Sequence, residues 1–85
     1  MLTSAGLTKA RPKRDELTIM RDILRLTRTP TASTKILYGA NLSYTQFSRY
    51  LDLLVEKGFM KVAGRTPPTY VTTNKGELFL RLVTG

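Results

Sequence analysis

The chain has 85 residues, with 14 Lys+Arg against 6 Asp+Glu for a formal charge of +8, and it contains no Cys, His or Trp. That length makes one domain with a modest core. The missing residue types exclude a zinc finger, a thiol nucleophile, an imidazole base and a disulfide framework. No apolar run reaches the roughly 18 residues that span a bilayer, the N-terminus lacks the apolar block of a secretory signal, and the carboxylates lack the spacing of a cation-binding loop. The expectation is a small soluble cytoplasmic module with a strongly anionic partner. An enzyme, a cofactor, a metal, a membrane or a small-molecule ligand is not indicated.

Residues 1–14 carry Lys9, Arg11, Lys13 and Arg14 with no acid, together with Gly6 and Pro12 and no apolar period. They read as a flexible basic arm holding half of the net charge. Residues 15–85 read as the folded domain. From Asp15 to about Arg28 the pattern is helical: Leu17, Met20, Ile23 and Leu24 recur at spacings of three and four, and Ile19 and Leu26 widen the stripe. Asp15 or Glu16 suits the positive end of the helix dipole, and Arg25 and Arg28 suit the negative end. Thr29-Pro30 stops the helix, because a residue before proline is pushed out of the helical region.

Thr31 to Thr34 is extended in character, and Ser33 or Thr34 is the expected N-cap of a short second helix that Gly39 stops. A tight connection, Ala40-Asn41-Leu42, leads to Ser43, which caps a third helix of about 43–57. That helix carries Phe47, Tyr50, Leu51, Leu54 and Val55 on one face. Gly58 suits a left-handed C-terminal position, with Phe59 folding back on Leu54. Two helices so joined make a helix-turn-helix.

After Gly58 the period changes to two. Phe59–Val62 and Thr69–Thr72 are short β-type runs, and the loop between them, about 63–68, has Arg65 near its tip and Pro67-Pro68 behind it. Thr73 or Asn74 caps a last helix that runs to about Val83. The fold class is mainly α with a small β-hairpin: a winged helix-turn-helix of three helices, a two- to three-stranded wing and a trailing C-terminal helix.

The second helix of such a motif enters the major groove of double-stranded DNA, and its N-terminal residues reach base edges. Here those residues are Ser43, Tyr44, Thr45 and Gln46, followed by Ser48 and Arg49. Gln pairs with adenine, Arg with guanine, and Thr offers a methyl and a hydroxyl. The same polar residues are what any exposed helix face carries. Arg65 and Thr66 in the wing suit a phosphate or the minor groove, where the field is most negative, although exposed turns are polar in any case. Lys35 suits a backbone phosphate, and Lys13 and Arg14 of the arm suit a neighbouring groove.

The four tyrosines suit core or rim positions, with Tyr44 the one expected to reach nucleic acid. Asp52 and Glu56, one turn apart, read as a solvated face with Asp52 answering Arg49. The last helix is apolar around most of its girth (Leu78, Phe79, Leu80, Leu82, Val83), so one side suits the core and another a partner subunit in a homodimer.

The run Thr34-Lys35-Ile36-Leu37-Tyr38-Gly39-Ala40-Asn41-Leu42-Ser43-Tyr44, continued by Arg49-Tyr50 and Leu54, resembles the archaeal winged-helix family of small basic chromatin-associated and regulator-like proteins. Tyr70 to Glu77 is similar to that family's exit from the hairpin into its last helix. The resemblance covers about residues 15–83. It implies a winged-helix fold, double-stranded DNA binding and a recognition role for Ser43, Tyr44 and Arg49. Chromatin-type members continue the last helix into a long antiparallel coiled coil that makes the dimer, and this sequence stops at Gly85. The expectation is therefore a nucleoid-associated transcriptional regulator rather than a packaging protein. The alternatives are a protein-interaction module in a transcription-associated complex, or RNA binding, against which stands the lack of evident exposed stacking aromatics.

Overall fold

The computed structural model describes residues 15–84. Its elements are α1 (Glu16–Leu26), β1 (Thr31–Ala32), α2 (Ser33–Gly39), α3 (Tyr44–Glu56), β2 (Met60–Arg65), β3 (Pro68–Thr72) and α4 (Asn74–Thr84). Four helices and one small antiparallel sheet, ordered β1-β3-β2, form a winged helix-turn-helix.

Helix α1 starts at an Asp15 N-cap whose carboxylate accepts the Thr18 amide at 2.8 Å. It buries Ile19, Met20, Ile23 and Leu24, while Leu17 and Leu26 fall at the exposed edges of the stripe. It ends at Thr27, three residues before Pro30. Thr27 is fully buried, and its hydroxyl lies 3.0 Å from the Ile23 carbonyl and 2.8 Å from the Thr72 hydroxyl, which itself donates to the Leu24 carbonyl at 2.8 Å. With the Thr72 amide bonded to the Thr27 carbonyl at 2.7 Å, this small polar knot fixes the end of β3 against the end of α1. Every polar atom in it has a partner, so its burial is tolerated.

Helix α2 begins one residue earlier than its sequence suggests. Its N-cap is Ala32, which has no side-chain cap bond, and Ser33 and Thr34 are already inside the helix. Thr31 and Ala32 are instead drawn into the sheet, opposite Tyr70 and Thr69. Gly39 is the last helical residue rather than a left-handed stop, and the positive φ of 55° falls on Asn41, a residue type that tolerates it.

Helix α3 has both expected ends. Ser43 and Gln46 form a reciprocal capping box, each amide meeting the other's side-chain oxygen at 3.2 Å. At the far end Gly58 has φ of 80°, its amide bonds the Val55 carbonyl at 3.0 Å and the Phe59 amide bonds the Leu54 carbonyl at 3.0 Å, a Schellman closure. Phe47, Tyr50, Leu51 and Leu54 enter the core, but Val55 lies at its margin, exposed.

The strands run further than the alternation suggests, to Arg65 on one side and from Pro68 on the other, leaving Thr66-Pro67 as a two-residue turn with a cis peptide bond. Ladder pairing keeps the chain extended through most of what reads locally as a loop. The register shifts between Val62 and Gly64, so Ala63 bulges out. Only Met60 of β2 is buried; β3 is half-buried from Thr69 to Thr72, and the exposed tip around Thr66-Pro67 forms the wing.

Helix α4 is capped by Thr73, whose hydroxyl accepts the Gly76 amide at 3.1 Å and donates to the Gly58 carbonyl. Gly76 is buried against the chain: a Cβ there would collide with the Phe59 carbonyl oxygen and lie 2.6 Å from Thr72 Cγ2. Leu80 seals the core, Phe79 stacks on Phe59 with centroids 4.6 Å apart, and Glu77 accepts two bonds from Arg28 at 3.0 and 3.2 Å. No helix among the described residues is long and apolar enough to cross a membrane.

Candidate nucleic-acid interface

Helices α2 and α3 are joined by Ala40-Asn41-Leu42, in which Ala40 and Leu42 are both buried. Two apolar plugs in three residues pin the connection to the core, so the angle at which α3 leaves is set by packing. The Leu42 amide bonds the Leu37 carbonyl at 3.1 Å and the Asn41 amide the Tyr38 carbonyl at 3.2 Å, which satisfies the end of α2.

The four core residues of α3 define its inner face, and Thr45, Ser48, Arg49, Asp52 and Glu56 lie on the opposite, exposed side. The first half of that outer face is hydroxylic and basic; the second half is acidic. Gln46 is exposed, but its amide oxygen turns back to cap Ser43, so its first task is to shape the start of the helix. Arg49 does not pair with Asp52. Its guanidinium sits 5.0 Å from the centroid of the Tyr50 ring, with Nη2 3.5 Å from the tyrosine hydroxyl. The buried ring thus holds the guanidinium itself through a cation–π contact.

Lys35 is exposed on α2, and Arg65 and Thr66 are exposed at the end of the wing. Arg65 is the last residue of β2, opposite Pro68, so its backbone is held by the ladder. Lys35 thus stands on α2, and Arg65 and Thr66 stand side by side on the wing. Lys13 and Arg14 lie outside the described residues.

Two features were not legible in the sequence. Tyr38 is 79% exposed, where the sequence suggests core or rim, because the inner face of the short α2 is already filled by Ile36, whereas Tyr44, the tyrosine expected to reach nucleic acid, is 75% exposed. In addition, Lys61 and Lys75 line an open cleft of about 520 Å³ between the wing and the start of α4. Lys75 reaches there over the Phe59 ring, 5.7 Å from its centroid. Strand and helix are adjacent only in three dimensions, so no local signal pairs these lysines. Among the described residues no group of His, Cys, Asp and Glu is placed to hold a metal ion.

A three-helix core with a projecting hairpin and a pinned turn before α3 defines the class, and the chain belongs to the winged helix-turn-helix family, whose pattern matches residues 13–84. It is similar in structure to Sso10a-2, a DNA-binding protein from Sulfolobus solfataricus, with 32% identity and a TM-score of 0.77 over 84% of this chain and 76% of that one. It is also similar to two uncharacterized proteins of Methanocaldococcus jannaschii. MJ0290 is 35% identical over 72 residues, which are 84% of this chain and 33% of that protein. MJ0287 is 36% identical over 52 residues, 60% of this chain and 54% of that protein. The chain therefore spans about a third and about half of the length of these two relatives. All three are archaeal, in keeping with the resemblance carried by the Thr34–Tyr44 run.

Proposed function

We propose that this protein binds double-stranded DNA as a transcriptional regulator, with the N-terminal half of α3 in the major groove. The observation that carries the reading is the division of the outer face of α3: Thr45, Ser48 and Arg49 come first, and Asp52 and Glu56 follow. A polyanion is attracted to the first half, where the helix dipole adds positive potential, and repelled by the second. The helix therefore enters end-on. Arg49 and Thr45 meet base edges, Ser43 and Tyr44 stand at the groove entrance, and Gln46 acts mainly by holding the cap. Lys35 takes a phosphate, Arg65 and Thr66 take the backbone or the minor groove, and Lys13 and Arg14 extend the contact beyond the domain. Likeness to a DNA-binding protein at 32% identity supports the same reading.

Two copies pair through α4 in this proposal. Leu78 and Leu82, one turn apart, are 57% and 83% exposed, and Leu17 of α1 lies in the same region at 53%. Leu17, Leu82 and Val83 share a cleft with Thr18 and Arg21. A twofold contact there presents two copies of α3.

The test is a titration of labelled duplex DNA at several salt concentrations with the native chain, Arg49→Ala and Lys35→Ala. Strong salt dependence, with weakening in both variants, is the expected result. Absence of duplex binding at low salt rejects the reading. It would favour a protein-interaction module, for which the groove between α3 and the wing, lined by Leu51, Val55, Val62 and Tyr70, is the supporting feature.

A further inference from the structure

Two large aromatic rings stand in solvent at the corner of the helix-turn-helix. Tyr38, in the last turn of α2, is 79% exposed, and Tyr44, the first residue of α3, is 75% exposed. Neither hydroxyl makes a hydrogen bond among the described residues, so no polar anchor accounts for either position. The Tyr44 ring leans on Phe47, with centroids 6.2 Å apart and planes at 36°, and Phe47 is itself buried. That support leaves the outer face of Tyr44 open on a ring whose underside is held. Tyr38 is one helical turn beyond Lys35, and both are exposed, so an aromatic face and a cation share one side of α2.

We propose that Tyr38 and Tyr44 form a stacking platform for unpaired bases, so that this corner binds single-stranded nucleic acid. Duplex bases are stacked on one another and show only their edges in the grooves, so a protein ring has no π-face to meet there. An unpaired base offers that face, and stacking on exposed aromatics beside a basic groove is how proteins hold single strands without sequence preference. Lys35 supplies the adjacent phosphate contact. The inference goes beyond duplex binding and shares Lys35 and Tyr44 with that reading; Tyr38 belongs to the platform alone.

The composition supplies the probe. There is no Trp, so intrinsic emission comes from the four tyrosines, and the quenching that disappears in a variant with Phe at positions 38 and 44 is that of the two exposed rings. The full chain is titrated with short oligo-dT and oligo-rU, neither of which folds. Tyrosine emission and the anisotropy of labelled oligonucleotide are both followed, with duplex DNA at the same salt as the comparison. Tyr38→Phe/Tyr44→Phe keeps both rings and removes both hydroxyls; Tyr38→Ala/Tyr44→Ala removes the rings.

The expected result is binding with quenched emission, affinity within about two-fold of native for the Phe variant, and a loss of about ten-fold or more for the Ala variant. Binding of dT but not rU, or the reverse, supports the platform and assigns it to DNA or to RNA. Loss in the Phe variant equal to that in the Ala variant overturns it, because the hydroxyls and not the rings would then carry the contact. Binding without quenching, or no single-strand binding while duplex binding is intact, also overturns it and leaves the duplex reading standing. Failure on every nucleic acid overturns both.

Discussion

Arg49 has the most specific part to play among single residues. Its guanidinium lies against the Tyr50 ring, 5.0 Å from the centroid, on an exposed residue of α3. Arg49→Ala is expected to weaken binding to the preferred duplex by about 2 kcal/mol and to flatten sequence preference, since a bidentate base contact discriminates by about that much. Lys35→Ala is expected to weaken all sequences alike and to lower the salt slope by about one unit. Affinities across a panel of duplexes check both; equal losses for the two variants at every site would refute the division of roles. A different residue-scale constraint acts at Gly76, where there is no room for a Cβ between the Phe59 carbonyl and Thr72. Gly76→Ala is expected to cost about 3 kcal/mol, read as a large fall in the thermal midpoint. An unchanged midpoint would mean that α4 shifts freely on the sheet.

The ends of the helices decide how the elements are placed. The Ser43–Gln46 box fixes where α3 begins and hence which residues lead into the groove. Ser43→Ala is expected to destabilise the fold by about 1 kcal/mol and to weaken DNA binding beyond what that loss explains, because the first turn carries the contact. At α1, the bond from the Thr18 amide, aided by the Thr18 side chain, holds the Asp15 carboxyl below the usual carboxylate range. A lowered folded-state value means the cap stabilises above the unfolded value and is lost as protons bind. Stability from this cap therefore falls as the pH drops below about 4. Asp15→Asn retains a capping oxygen and should remove that component, a difference visible in thermal midpoints measured down through the acid range. The same end effects explain where sequence and structure part. The Asp15, Ser43 and Gly58 signals are local and are used as they stand. At α2 the sheet takes Thr31 and Ala32, and that long-range pairing moves the helix start off Ser33 and onto Ala32.

For the whole molecule, the net charge governs how nucleic-acid binding responds to salt. The described domain keeps half of the +8 charge, and the rest belongs to residues 1–14. With about five phosphates neutralised, log K against log salt is expected to have a slope of about −4.5 on duplex DNA. Removal of residues 1–13 should make that slope shallower without changing the preferred sequence. Leu78 and Leu82 are exposed one turn apart on α4. Replacing both with Glu is expected to leave a monomer by sedimentation equilibrium and to weaken binding to paired half-sites far more than to a single one. A native chain that sediments as a monomer at every concentration would reject that pairing.

The sequence by itself determined the order and kind of the elements, the core stripes of α1 and α3, the capped ends of α3 and the net positive field. Each of these is a property of residues close together in the chain: a period of 3.6 or 2, an Asp or Ser before a helix, a glycine after one. Tertiary structure decided what depends on neighbours far along the chain. It drew Thr31 and Ala32 into the sheet, carried the wing strands through to Arg65 and Pro68, and laid Arg49 over Tyr50 and away from Asp52. It also left Tyr38 and Leu82 in solvent. The reason is that composition counts apolar side chains, whereas burial depends on how much inner face each short helix has. In α2 and α4 that face is filled by Ile36 and by Leu80, and Tyr38, Leu78 and Leu82 remain exposed.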